Sequence, residues 1–82
     1  MQRNLSGQRI YMARVTHLPR LTQADLAAQL YVKHQIDMSV NMLSRIENGE
    51  RYVTDKELAA FARLLRVSTA WLLGETNDPK RK

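Results

Sequence analysis

Four polar side chains, Asn41, Ser44, Arg45 and Asn48, recur at i, i+3, i+4 and i+7, the spacing that gathers residues on one face of an α-helix. Leu43 and Ile46 fall on the opposite side, so burying them turns the polar row outward, with Val40 beside it in the first turn. Arginine offers a two-pronged donor to guanine, asparagine pairs a donor and an acceptor with adenine, and valine packs on the thymine methyl. The row therefore has the chemistry to read base edges in a major groove. An ordinary solvated helix face has the same composition, and the elements that must position the row decide between the two.

Other chemistries are poorly supplied. The chain has 82 residues and no cysteine, which excludes disulfides, thiol catalysis and cysteine-based metal sites. His17 and His34 have no partner at a dependable ligand spacing, so neither metal nor cofactor is expected. Ser44 has no nearby base in sequence and no glycine-rich phosphate loop occurs, so the chain does not read as an enzyme. Neither a signal peptide nor a membrane span is expected, which makes the cytoplasm the default location. Thirteen Lys and Arg against eight Asp and Glu give a formal charge of +5, a balance that suits a polyanionic partner. The excess sits at the ends: residues 1–24 carry four arginines and no acid, residues 25–79 hold six bases and eight acids, and Lys80, Arg81 and Lys82 close the chain.

Five helix starts are written in capping chemistry, each a Ser or Thr preceded by one apolar residue and followed four positions later by another. The sets are Leu5-Ser6 with Ile10, Leu21-Thr22 with Leu26, Met38-Ser39 with Leu43, Val53-Thr54 with Leu58, and Val67-Ser68 with Leu72. Glu57 completes a capping box with Thr54, and Asp25 offers a shorter version with Thr22. Pro19, Asn48-Gly49 and Gly74 supply stops. The expected spans are 7–17, 23–34, 40–48, 55–66 and 69–73, all α, in a domain over residues 1–74 followed by a frayed polar basic tail over 75–82. Leu58, Phe61, Ala62 and Leu65 form one apolar stripe, and Met12, Met38 and Met42 read as packing residues.

The runs Leu21-Thr-Gln-Ala-Asp-Leu-Ala-Ala-Gln-Leu30, Leu43-Ser-Arg-Ile-Glu-Asn-Gly49 and Val67-Ser-Thr-Ala-Trp-Leu-Leu-Gly74 together resemble the phage repressor and Cro family of helix-turn-helix transcription regulators. The resemblance covers Gly7 to Gly74. It implies a compact all-α, five-helix, repressor-like DNA-binding domain whose second helix braces on the DNA backbone while the third enters the major groove. Carried over by position, the base-reading residues are Val40, Asn41 and Arg45, with Ser44 adjacent. Gln23, Asn48 and Arg51 fall at phosphate-contacting positions, and Arg14 with Glu47 at a structural ion pair. The implied partner is double-stranded DNA, as a palindromic operator bound by a homodimer. Trp71, Leu72 and Leu73 read either as core or as part of a dimer surface on the fifth helix, around Trp71 and Leu72.

Two departures stand out. Glu50 occupies a place where the family commonly has a base, and residues 31–38 separate Leu30 from Ser39 where a turn of about three or four residues is usual. Either the second helix gains a turn or the connection bulges, so an extended link between helices two and three is expected. The same fold could also serve as a protein-interaction module, such as an antitoxin or an adaptor. Duplex titration separates that reading from sequence-specific regulation, whether as repressor or in a Cro-like role.

Overall fold

The computed structural model describes residues 2–80; Met1, Arg81 and Lys82 lie outside the described residues. It contains helices α1 (Gly7–Val15), α2 (Gln23–His34), α3 (Val40–Glu47), α4 (Asp55–Leu65) and α5 (Thr69–Leu72), and no strand among the described residues. Ile10, Leu26, Leu30, Leu43, Ile46, Phe61 and Leu72 are fully buried, so every helix contributes to one core. Helix α3 packs on α1 and α2, while α4 closes the far side against α2, α1 and α5. No helix of the described residues is long and apolar enough to cross a membrane.

Four of the expected caps form. The hydroxyl oxygens of Thr22, Ser39, Thr54 and Ser68 accept from the amides of Asp25, Met42, Glu57 and Trp71 at 3.0, 3.0, 3.1 and 3.0 Å. Asp25 also reaches back to the Thr22 amide at 3.0 Å, so the shorter acid completes a capping box as Glu57 does with the Thr54 amide.

The first cap is different. Ser6 is buried and makes no side-chain cap, and Leu5 is exposed, so it does not clasp Ile10. Asn4 takes over: its Oδ1 accepts from the Gly7 amide at 2.7 Å, while its Nδ2 donates to the carbonyls of Ile46 and Arg51 at 3.1 and 2.8 Å. This arrangement requires glycine at position 7, where an added Cβ would overlap the Ile46 carbonyl oxygen. The start of α1 is thereby pinned to the end of α3.

The long connection resolves as both alternatives at once. Helix α2 runs a further turn to His34, and Gln35, left-handed at φ 55°, ends it, with its amide donating to Tyr31 and that of Ile36 to Leu30. Residues 35–39 then bridge to α3 with Met38 buried and Ile36 packed against the core. The link is thus anchored by its own apolar side chains.

Three expectations need correction. The tail is not frayed through its described part, because the Ser68 amide donates to the Pro79 carbonyl and Arg9 Nη1 donates to Thr76 at 2.8 Å. Leu72 is fully buried in the core and so drops out of the expected dimer surface, whereas Trp71, 4.8 Å beneath the Arg9 guanidinium, and Leu73 stay partly exposed. Met38 and Met42 do pack, but Met12 is 46% exposed, because it faces away from Ile10 and Ala13, the buried side of α1.

Candidate nucleic-acid interface

The orientation of α3 is set from its buried side. Beyond Leu43 and Ile46, the carboxylate of Glu47 is nearly enclosed and accepts from Arg14 Nε at 2.7 Å and Nη2 at 3.0 Å. Arg14 Nη1 also donates to the Leu21 carbonyl at 3.2 Å, and Gln23 Nε2 donates to the same Glu47 at 3.0 Å. One carboxylate therefore ties α3 to α1 and to the first turn of α2, fixing the angle between α2 and α3. The hydrogen bond to Glu47 holds the Arg14 guanidinium above its usual range, against the opposing effect of burial.

With that side fixed, Val40, Asn41, Arg45 and Asn48 face outward and Ser44 is half-buried between them. No side chain of Asn41, Ser44, Arg45 or Asn48 has a hydrogen-bond or ion-pair partner among the described residues. Arg9, Arg14 and Arg51 are engaged inside the molecule, whereas Arg45 has its whole donor fork open to an external acceptor.

Gln23 sits at the start of α2, where unpaired backbone amides favour an anion. Its amide nitrogen has two N–H groups, so the bond to Glu47 leaves one for another acceptor. Asp25 beside it is held below the usual carboxylate range, first by the Thr22 amide and then by the Thr22 hydroxyl and nearby Arg20, which together outweigh desolvation.

Arg51 is placed less freely than its position in the α3–α4 loop suggests. Its Nη1 and Nη2 donate to the two oxygens of Glu57 at 3.0 and 3.1 Å, and Nη1 also reaches the Tyr52 carbonyl. Burial disfavours the Glu57 charge, but Arg51 and Thr54 outweigh it and hold the carboxyl below its ordinary value. With two N–H groups on Glu57 and one on the Tyr52 carbonyl, the Nε–H and one Nη2 N–H of Arg51 remain undonated among the described residues.

Arg3 joins this region although nothing around it in sequence marks it. Its amide donates to the Gly49 carbonyl at 2.7 Å and its guanidinium lies 5.9 Å from the Tyr52 ring, placing an exposed cation next to the end of α3. Gly49, left-handed at φ 78°, closes α3 against the side chain of Gln2. Elsewhere His17 Nδ1 lies 3.0 Å from the Pro19 carbonyl, and no group of three metal-ligating side chains converges among the described residues.

A family described as helix-turn-helix matches residues 12–72, a span that contains Arg14, Gln23, the whole of α3 and Arg51. No curated protein and no solved structure matches the chain.

Proposed function

The chain belongs to the helix-turn-helix family of DNA-binding transcription regulators, and from that premise we propose that it is a sequence-specific repressor or Cro-like regulator whose helix α3 reads the major groove. The family is one of regulators and not of enzymes. The observation that carries this reading is the unpaired row on α3, held outward by a carboxylate clamp on the opposite side.

In this reading Arg45 and Asn41 hydrogen-bond base edges, Val40 packs on a thymine methyl and Ser44 supplies a shorter polar contact. Gln23, Asn48 and Arg51 grip phosphates, with Gln23 using its second N–H while Glu47 holds the first. Arg51 contributes less charge than a free arginine because Glu57 neutralises it. Two copies on a palindromic operator would set their recognition helices about 34–36 Å apart, matching successive major grooves on one face of the duplex. The working location is the cytoplasm, where such DNA would be met.

Binding measured against a panel of single-base changes in a selected duplex tests this reading. Arg45→Ala relaxes preference at one position, where a bidentate pair discriminates by about 1–3 kcal/mol. Gln23→Ala weakens all duplexes by similar factors and leaves their ranking intact. Uniform loss for Arg45→Ala would remove α3 as the reader at that residue.

A further inference from the structure

A second charged surface lies away from the α3 row. Helix α2, the loop before it and the end of α4 enclose an open groove of about 830 Å³, lined by Arg20, Lys33, Arg63 and Arg66 together with Ala28 and Leu64. Residues 25–79 contain more acids than bases, eight against six, yet three of those six bases converge on this one groove. The single acid on the rim, Asp25, is already turned to the Thr22 amide as a helix cap.

Lys33, Arg63 and Arg66 are exposed, and their side chains have no hydrogen-bond or ion-pair partner among the described residues. Arg66 also occupies the left-handed position that ends α4, at φ 60°, which glycine or asparagine adopts with less strain. Local conformation therefore does not account for an arginine there.

The groove sits on the flank of α2 that faces α4, whereas Gln23 and its bond to Glu47 mark the flank that faces α3. Arg20 also borders the recess beside Thr22 and Gln23 at the start of α2, whereas Lys33, Arg63 and Arg66 lie along the α4 side. An open groove lined by four bases, with the apolar side chains of Ala28 and Leu64 among them, fits a polypeptide segment better than it fits the convex rod of a duplex. Arginine forks match carboxylates in geometry and charge. We propose that this groove, lined by Arg20, Lys33, Arg63 and Arg66 with Ala28 and Leu64, docks an acidic segment of a partner protein.

The test uses the full isotopically labelled chain and a synthetic peptide alternating glutamate with alanine, followed by amide NMR shifts. The glutamate peptide shifts Ala28, Lys33, Arg63 and Arg66, and a matched glutamine peptide does not. Arg63→Gln combined with Arg66→Asn, which keeps the left-handed position comfortable, weakens the peptide by about tenfold or more. Lys33→Gln, on the other helix, weakens it in the same direction, and neither variant changes duplex affinity. Peptide shifts confined to α3, unchanged peptide affinity in both variants, or duplex-induced shifts in the groove with matching loss of duplex affinity would each overturn the proposal. The last result would assign the groove to DNA.

Discussion

Replacing Glu47 by alanine removes the acceptor of three hydrogen bonds, two from Arg14 and one from Gln23. The side chains of Arg14 and Glu47 are 12% and 4% exposed, so water cannot easily replace what is lost. Arg14 would be left with the Leu21 carbonyl and the flank of Tyr11, 5.6 Å from its guanidinium. Stripping one partner from a buried pair costs about 3–5 kcal/mol, and the remaining contacts of Arg14 place this case near the lower end, about 3 kcal/mol. In a domain of this size each kcal/mol moves Tm by about 4–8 °C, so Glu47→Ala should melt roughly 12–24 °C below the parent. Arg14→Met with Glu47→Leu should recover most of that loss, because neither charge is then stranded. Thermal and urea melts of the parent, Arg14→Met, Glu47→Leu and the double complete the cycle, with Glu47→Ala measured beside them. A Glu47→Ala variant within about 1 kcal/mol of the parent, or a double variant as unstable as the sum of the singles, would refute the clamp.

Gly7→Ala should destabilise by about 3 kcal/mol although alanine is the better helix former, since the new methyl meets a backbone carbonyl that cannot swing aside; a urea melt checks the sign. The carboxyl of Glu57 is held below its ordinary 4.5, so its contribution is complete above that value and is lost as pH falls through the lowered one. Acid titration of stability should show this loss below about pH 4.5, with a shallower slope in Arg51→Met. Duplex affinity should fall with salt at a log–log slope of about −0.9 per phosphate contact, corresponding to about four to six contacts per half-site; a flat dependence would point to a protein partner instead.

Most of the fold was legible because helices announce themselves locally. Thr22, Ser39, Thr54 and Ser68 each precede an apolar periodicity, and each one caps. Ser6 carries the same local signature and fails, because its neighbourhood is set by the end of α3, some forty residues away, where the Ile46 carbonyl approaches Gly7. No window of sequence contains both partners of that contact. The tail misleads for a similar reason: its composition is that of a solvated terminus, and only the position of Arg9 over Trp71 gives Thr76 and Asn77 something to bind.

The α3 row was legible as a face, since period and polarity are properties of one helix. Availability is a different property, decided by partners across the fold. Thirteen basic side chains describe the charge of the chain and say little about its site, because Arg14 is neutralised by Glu47 and Arg51 by Glu57. Glu50 adds an exposed acid in the same loop. The cationic charge that α3 and its flanks can offer to phosphates is consequently smaller than the sequence suggests, and Arg3 restores only part of it. Nonspecific affinity, which depends on phosphate neutralisation, is limited by those internal pairs, whereas base recognition depends on a few unpaired donors and acceptors. The internal pairing of Arg14 and Arg51 thus shifts the proposed reader toward discrimination by Arg45 and Asn41, at the expense of indiscriminate attraction to DNA.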